Sequence, residues 1–198
     1  MFNIKEANLI LSNSEDTKNK ILLATVELLE ATDNPNSVTV RKIAEKVGVG
    51  VGLINYYFSS RDNLLYCAAS LQMQESANEL VRLANNGGDS EETLRKMLKT
   101  LSDFAIKNQM NNKIYAEYEL LKGNFSACHY VLPLLRKIFN NRKTDRQLRL
   151  IALEIISVAQ VFSLRQDILF EFAGYNLNDK SERDNLIDEI INSYIREE

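Results

Sequence analysis

Side chains able to bind nucleic acid are concentrated in one short stretch of the chain, between Val40 and Arg61. The amide of Asn55 can pair with the edge of an adenine, and Tyr56 can touch a thymine methyl group or reach a phosphate. Arg61 can form charge-assisted hydrogen bonds with phosphate. A helix built only for burial has little use for an amide and a phenol beside a cation. These residue types therefore indicate contact with DNA rather than an ordinary helical hairpin.

Apolar residues in the same stretch are spaced for two short helices that pack against each other. Ile43 and Ala44 fall on one face of the first helix, and Gly48 can end that helix with a positive φ that glycine adopts without strain. Thr39 is placed to cap the first helix with its hydroxyl. The facing apolar contacts of the second helix are predicted to be Val49, Ile54 and Tyr57. This spacing is typical of a helix-turn-helix that reads DNA.

Composition favours an all-α protein of a reducing cytoplasm. Two prolines and seven glycines in 198 residues leave long windows of helical periodicity. Cys67 and Cys128 lack the spacing of a disulfide framework or a metal site, and we expect both to be small apolar fillers. We recognise no signal peptide and no window that approaches the roughly 18 to 20 apolar residues of a membrane span. We therefore expect a cytoplasmic protein without a membrane partner.

Caps and glycines divide the remainder of the chain into further helices. Residues 1–16 are predicted to be a poorly ordered arm or a short helical lead-in, and a first helix capped by Asp16 or Thr17 runs to Ala31. The next helices beyond the motif are predicted at about 61–85, 90–109, 112–122, 126–140, 144–172 and 179–195. Thr144 with Gln147 forms a capping box, and Pro133 predicts a kink or a broken start in its helix.

The last two helices carry wide apolar stripes. One stripe comprises Ile151, Ile155, Val158, Ala159 and Phe162, and the other comprises Leu186, Ile187, Ile190, Ile191 and Tyr194. This is more apolar surface than a hairpin at the edge of a monomer needs, and two such hairpins can pair as a four-helix bundle. We therefore expect a homodimer through the last two helices, with packing inside one chain as the alternative.

Three segments, KILLATVELLEA, TVRKIAEKVGVGVGLINYYF and SSRDNLL, together resemble the TetR family of bacterial transcriptional regulators in order and spacing. The resemblance implies a helix-turn-helix DNA-binding domain over residues 17–65, after an arm of residues 1–16, and a helical ligand-binding and dimerisation domain over residues 66–198. The family's third helix enters the major groove, and its second helix and the start of its fourth grip phosphates. The DNA-binding residues that this implies are Thr39, Arg41, Gly50, Val51, Gly52, Asn55, Tyr56 and Arg61.

Two departures from the family pattern bear on how DNA is read. Gly50 and Val51 stand where the family often has a Ser or Thr cap followed by Lys, Arg or Pro. Gly50 and Gly52 leave bare backbone, so either the backbone approaches DNA closely or this helix forms fully only on the operator. Asn55 replaces an aromatic residue, which prevents an operator from being borrowed from a relative. Tyr57 and Phe58 are expected to seat the helix on its neighbours.

The resemblance further implies a repressor that a small-molecule ligand releases from a palindromic double-stranded operator. Ligand would tilt the long fourth helix and change the spacing of the two recognition helices in the dimer. An apolar or aromatic effector is expected, because ligand pockets are mostly apolar. The candidate pocket residues are Phe104, Tyr115, Tyr118, Glu119, Phe125, His129, Gln160 and Arg165. Each has an alternative role as a core aromatic residue or a satisfied polar group.

Two functions of other classes compete with this interpretation. His129 is the only histidine, and we find no nucleotide-binding loop or nucleophile elbow, so we expect no catalytic residue, cofactor or metal ligand. A helical ligand-binding or adapter protein that has lost DNA binding stays open, because the net charge is −3 and the cations of the first third are nearly cancelled by carboxylates. Salt-dependent operator binding discriminates between these functions.

Overall fold

The computed structural model describes residues 4–85, 88–123 and 125–195, and in these ranges it describes the side chains from residue 15 onward except for several between 72 and 85. All regular elements in these ranges are helical, which confirms the predicted all-α fold. The helices are α1 (Ile4–Glu30), α2 (Val40–Val47), α3 (Val51–Phe58), α4 (Arg61–Asn85), α5 (Ser90–Lys107), α6 (Gln109–Lys122), α7 (Cys128–Phe139), α8 (Asp145–Leu164), α9 (Gln166–Ala173) and α10 (Lys180–Ile195), with a 3-10 turn at Pro35–Ser37.

The chain divides into two compact units, Met1–Ser70 and Leu71–Glu198, and the division falls within α4. The domain boundary expected after residue 65 stays a prediction. The first unit contains α1 to α3 and the start of α4, and the second contains the remaining helices.

Local rules account for the helix-turn-helix of the first unit. The hydroxyl of Thr39 caps α2 by accepting a 3.3 Å hydrogen bond from the backbone N–H of Lys42. Gly48 ends α2 in the left-handed region at φ 76°, which a residue with a Cβ would adopt only with strain. An ion pair of 2.9 Å joins Lys46 of α2 to Glu27 of α1. The fully buried large side chains of this unit are Ile21, Leu29, Ile43, Ile54, Phe58 and Leu64.

Of the two alternatives for the segment before Thr17, residues 4–16 follow the helical lead-in, but the cap predicted at Asp16 or Thr17 is wrong, because α1 begins at Ile4 and runs without interruption through Thr17. The segment before Thr17 contains no glycine or proline that would end a helix. Asp16, one of the two predicted caps, instead forms a 2.6 Å ion pair with Lys20 one turn later. Residues 1–3 of the predicted arm lie outside the described residues.

In the second unit, one core is shared by α5, α7, α8 and α10. Its fully buried members include Leu94, Met97, Leu134, Leu135, Phe139, Ala152 and Ile191. The capping box of Thr144 and Gln147 forms as predicted. The predicted helix of residues 144–172 is broken, because Arg165 leaves the helical region at φ −129° and ψ 53° and separates α8 from α9. Pro133 lies inside α7, which begins at Cys128.

Helix α8 carries apolar residues on two opposite faces. Ala152 and Ile155 are buried in the core, whereas Leu150 and Val161 on the other face are 55% and 47% exposed. Within the described ranges, α8 is the one helix that could cross a membrane by length and composition. The expectation that no window approaches a membrane span is therefore wrong for α8. The physical reason is the second apolar face, which core packing alone does not require.

Candidate DNA-binding surface and ligand cavity

Four predicted DNA-binding residues share one face of α3. Val51, Gly52, Asn55 and Tyr56 follow the spacing i, i+1, i+4 and i+5, and all four are exposed, Tyr56 at 79%. The opposite side of the helix is anchored, since Ile54 and Phe58 are each 1% exposed. As predicted, Phe58 seats the helix. This face presents an amide and a phenol, which are groups that can bond to base edges and phosphates.

Two predicted phosphate ligands lie on the surface at the start of α2. The Arg41 side chain is 85% exposed, and its Nε donates a 3.1 Å hydrogen bond to Oε1 of Glu45 one turn later. Exposed ion pairs of this kind contribute little, so Arg41 can exchange Glu45 for a phosphate. Thr39 uses its hydroxyl oxygen as the α2 cap, and the hydroxyl proton can still be donated.

Arg61 has a different environment from the other seven predicted DNA-binding residues, which are all exposed. Its half-buried guanidinium donates from Nε to the carbonyl of Val38 at 2.8 Å and from Nη2 to the carbonyl of Pro35. Nη1 lies 3.8 Å from Oδ1 of Asp62. Arg61 thus holds the loop between α1 and α2 against the start of α4. Its contact with phosphate stays a prediction, but its bonds in the free chain are structural.

The backbone at the start of α3 is open. Gly50 occupies the N-cap position without a side-chain cap, and a Cβ built on Gly50 or Gly52 would meet nothing within 4 Å. The helix nevertheless begins at Val51 in the chain alone. Of the two roles considered for these glycines, this geometry favours close approach of DNA to the backbone over helix formation on the operator.

The second unit contains a partly open cavity of about 130 Å³. Its walls come from α4, α5, α6, α8 and α10 and from the segment before and at the start of α7. Most of the lining is apolar, and includes Leu98, Leu101, Ala105, Val131, Ile156, Ile187 and Ile190. A cavity of about this size, roughly 150 Å³ and lined by apolar side chains, can hold a benzene molecule. The second unit therefore has room for one small apolar molecule.

Residues 21–66, which cover most of α1, all of α2 and α3 and the start of α4, match the family model described as bacterial regulatory proteins, tetR family. These residues therefore form a domain of the TetR family.

The likeness to known proteins extends beyond residues 21–66. The nucleoid occlusion factor SlmA of Vibrio vulnificus is 23% identical over 113 residues, so the match spans 57% of the chain and 58% of SlmA. Thermus thermophilus FadR, a TetR-family repressor solved with lauroyl-CoA, superposes with a TM-score of 0.69 at 17% identity, covering 87% of this chain and 93% of FadR. RolR solved with resorcinol gives 0.60 at 15% identity, covering 93% and 90%. At these identities the solved structures show the shared fold.

Only two of the eight predicted ligand residues, Tyr115 and Gln160, line the cavity. Phe125 is 52% exposed, and Arg165 pairs on the surface with Asp167 at 3.2 Å. The other four that do not line the cavity are Phe104, Tyr118, Glu119 and His129. The candidates were chosen by residue type, whereas the cavity takes the residues at the inward faces of several helices. The structure does not place the other six residues in the lining of this cavity, and ligand contact by any of the eight stays a prediction.

Glu119 has a structural role beside the cavity. Its buried carboxylate accepts hydrogen bonds from the backbone N–H of Ser126 at 3.1 Å and from the Ser126 hydroxyl at 2.7 Å. Ser126 also hydrogen-bonds with Tyr115, and burial raises the pKa of Tyr115 to about 12. A Cβ on Gly123 would lie 2.6 Å from Cα of Glu119, so the loop between α6 and α7 approaches too closely for another residue. Glu119 fastens this loop, while Tyr115 presents a protonated phenol to the cavity.

Arg183, a buried cation that lines the cavity, was not among the residues predicted from the sequence. A signal was present, because Arg183 precedes Leu186, Ile187 and Ile190 at i+3, i+4 and i+7 and so belongs to the apolar stripe of α10. Its Nη2 donates to Oδ1 of Asp103 in α5. Although partial burial acts in the opposite direction, hydrogen bonds from Arg183 and Lys180 hold the pKa of Asp103 below its usual value.

Neither cysteine is placed for reactive chemistry. Cys67 and Cys128 are free thiols, and burial raises the pKa of each, which lowers the thiolate fraction at neutral pH. Among the residues that the structure describes, no group of three or more His, Cys, Asp or Glu side chains could hold a metal ion.

Proposed function

We propose that this TetR-family transcriptional regulator is a cytoplasmic repressor that binds a palindromic DNA operator as a homodimer and leaves it when a small apolar effector binds. One observation carries the DNA-binding half of the proposal, namely the exposed face of α3 whose opposite side is anchored by Ile54 and Phe58. Selection of bound sequences from a random duplex pool tests it directly. An enriched palindrome with half-sites about one helical turn apart is the expected result.

Separate roles are expected for Asn55 and Arg41 in that experiment. Asn55→Ala should relax preference at one adenine by about 1–3 kcal/mol of discrimination, because a bidentate amide contact reads a single base. Arg41→Ala should weaken binding to all sequences and reduce the slope of affinity against salt by roughly one phosphate contact. Fluorescence anisotropy with the selected operator and single-base variants measures both. Unaltered base preference in Asn55→Ala would remove this residue from direct readout.

Gly52→Ala is expected to stabilise the protein and to weaken operator binding. Alanine in a helix interior stabilises by about 0.5–1 kcal/mol relative to glycine, and the new methyl group meets nothing within 4 Å in the free chain. In the complex, the same methyl group would occupy space that DNA fills when it approaches the bare backbone closely. Operator affinity should therefore fall by roughly tenfold. Thermal unfolding and anisotropy give the two quantities. Tighter binding together with higher stability would show instead that α3 folds on the operator.

The positions of two α4 side chains support the proposal that an effector releases the protein from its operator. The helix supplies Arg61, which fixes the α1–α2 loop, and Gln74, which lines the cavity. A ligand that fits the cavity differently in two positions of α4 would shift the equilibrium between them, and only that difference in affinity can release DNA. FadR and RolR were solved with lauroyl-CoA and resorcinol, and the smaller of these is nearer in size to the cavity. Equal operator affinity with and without every tight ligand would contradict release.

The dimer contact that we propose involves less of the chain than the sequence analysis suggested. Leu186, Ile187 and Ile191 of the α10 stripe are buried within the chain, which argues against their use at a dimer contact. Exposed apolar side chains instead continue along the outer face of α8 into α9. They are Leu150, Val161, Ile168, Phe170 and Phe172. We propose that this surface, rather than α10, pairs two chains.

A ligand-binding or adapter protein that no longer binds DNA is the second candidate, and one observation favours it. Three cations of this unit are engaged within it: Arg41 with Glu45, Lys46 with Glu27, and Arg61 with two backbone carbonyls. These contacts reduce the positive charge that is offered to phosphate. Duplex binding that is absent even at low salt would favour this candidate, because binding through phosphate contacts strengthens as salt is lowered.

A further inference from the structure

Two adjacent asparagines, Asn111 and Asn112, lie near the start of α6 and are 8% and 5% exposed. Of the two, Asn112 lines the cavity and Asn111 does not. Tyr115, which follows Asn112 by three positions on the same face of α6, lines the cavity as well. The backbone N–H of Asn112 donates to the carbonyl of Asn108 at 3.0 Å, so the helix fixes the position of this residue. Asn112 therefore belongs to the inward face of α6.

The side-chain amide of Asn112 is unpaired and can be reached from the cavity. Among the described residues, neither its Oδ1 nor its Nδ2 has a hydrogen-bond partner. Oδ1 of Asn111 is also unpaired, but it is closed off even from a molecule as small as water. The amide atoms of Asn112 are not closed off in this way, and the cavity is the open space that this residue borders. A donor and an acceptor are thus both within reach of an occupant.

Three polar side chains of the cavity lining are buried, and Asn112 is the one whose polar atoms are both accessible and without a partner. Tyr115 bonds to Ser126. In Arg183 the unpaired Nε is closed off, and the two terminal nitrogens donate to protein oxygens. Half-buried polar side chains can bond to water at the open side of the cavity. They are Gln74, Ser102, Ser126, Tyr130, Gln160 and Ser163. Buried polar groups are almost always paired in native proteins, so the Asn112 amide points to a partner supplied by the occupant.

The chemistry of an amide restricts what can pair with it. Oδ1 accepts and Nδ2 donates, so the complementary ligand group is neutral and carries a donor beside an acceptor. A ligand amide satisfies both atoms of Asn112, whereas a ketone satisfies only Nδ2. A carboxylate would leave Oδ1 without a donor. It would also lose its hydration beside a neutral amide, because the cation of the lining, Arg183, is already paired with Asp103.

We propose that the cavity binds a ring-sized neutral amide, whose carbonyl accepts a hydrogen bond from Nδ2 of Asn112 and whose N–H donates to Oδ1. A space of about 130 Å³ with mainly aliphatic walls suits one six-membered ring, and a small lactam holds its N–H and its carbonyl on the same edge of the ring. The role of this molecule as an effector rests on the proposed function. Asn112 is then the specificity-determining residue, because the corresponding hydrocarbon leaves the buried amide unpaired.

Three rings of one shape test the proposal. The lactam 2-piperidone offers a donor and an acceptor, cyclohexanone offers an acceptor alone, and methylenecyclohexane offers neither. Binding to the full-length protein is measured without DNA, by NMR titration. Asn112→Leu replaces the amide with an apolar group of similar size. We expect this variant to weaken binding of 2-piperidone about tenfold or more and of cyclohexanone about threefold, and not to weaken binding of methylenecyclohexane.

Three outcomes of this titration would overturn the proposal. Equal changes for 2-piperidone and methylenecyclohexane would exclude the contact with Asn112, and equal changes for 2-piperidone and cyclohexanone would exclude the hydrogen bond to Oδ1. Absence of saturable 2-piperidone binding to the unmodified protein would exclude both. Asn111→Leu is the matched control, since Asn111 precedes Asn112 in the same helix and does not line the cavity. It should leave binding of all three compounds unchanged, and a loss equal to that of Asn112→Leu would also overturn the assignment.

A second measurement on the unmodified protein keeps the proposal testable if Asn112→Leu fails to fold. The side-chain ¹H–¹⁵N resonances of Asn112 should shift downfield on addition of 2-piperidone and shift much less with methylenecyclohexane. Unmoved Asn112 resonances at saturation with 2-piperidone, or tighter binding of cyclohexanecarboxylate than of 2-piperidone at neutral pH, would overturn the proposal. Operator release is assayed separately with 2-piperidone, so failure of release contradicts the proposed regulation and leaves the Asn112 contact to be judged by the binding data.

Discussion

Replacing Arg61 with alanine is expected to lower the free energy of unfolding of the first unit by about 3 kcal/mol. The change removes two hydrogen bonds from a guanidinium to the carbonyls of Val38 and Pro35, and hydrogen bonds of charged groups contribute about 1.5–3 kcal/mol each. The partial exposure of the side chain places the total toward the lower end of the sum. Urea unfolding followed by circular dichroism measures the change.

Arg41→Ala is the matched control, since it removes an arginine of the same unit that is almost fully exposed. Its exposed pair with Glu45 contributes only about 0.3–0.5 kcal/mol, so stability should hardly change while operator binding weakens. Arg61→Ala should weaken operator binding as well. Because only folded protein binds the operator, the loss of apparent affinity should follow the fraction of the variant that is unfolded. If Arg61→Ala were as stable as the unmodified protein and lost operator affinity as Arg41→Ala does, Arg61 would be a phosphate ligand and its role in the loop would be minor.

Val161→Glu is expected to convert the dimer into monomers and to lower operator affinity by roughly a hundredfold or more. A carboxylate at the centre of an apolar contact would be buried without a partner twice, once from each chain, because a two-fold interface repeats every residue. A monomer binds one half-site and loses the gain that comes from linking two sites. Sedimentation equilibrium gives the assembly state, and anisotropy with the selected palindrome gives the affinity.

Asn185→Glu provides the comparison for Val161→Glu. Asn185 is exposed on α10, so the same side chain is introduced on the helix that the sequence had included in the dimer contact. This variant should remain a dimer and bind operator normally. Dissociation by Asn185→Glu with retention of the dimer in Val161→Glu would return the contact to α10 and leave the exposed phenylalanines of α9 without a role.

The exposed face of α3 could be predicted because the rules that build it are local. Capping by Thr39 depends on a residue three positions away, the turn at Gly48 on that residue alone, and the α3 face on one helical period. The loop contacts of Arg61 could not be predicted, because its acceptors lie 23 and 26 residues earlier and are backbone atoms that any sequence provides. The neighbouring residues in the sequence therefore do not distinguish an arginine whose side chain is free from one whose guanidinium is hydrogen-bonded to the backbone.

The cavity was less predictable for a related reason. A cavity is the space left between helices from distant parts of the chain, so residue type alone does not say which side chains face it. Tyr115 and Gln160 line it, but Glu119, chosen as a polar residue among apolar ones, instead binds Ser126. The α10 stripe was correctly identified as apolar, but whether it packs within the chain or against a second copy depends on tertiary contacts.

The two apolar faces of α8 have a consequence for how such a regulator diverges after gene duplication. Ile155 and Ile156 line the cavity, while Leu150 and Val161 lie on the proposed dimer surface of the same helix. The two copies of a duplicated regulator would form mixed dimers until the residues of the proposed dimer surface differed between them. Their effector preference would change as the residues that line the cavity changed. Because the two sets alternate within one short coding segment, insulation from the sister protein and acquisition of a new signal would draw on neighbouring codons.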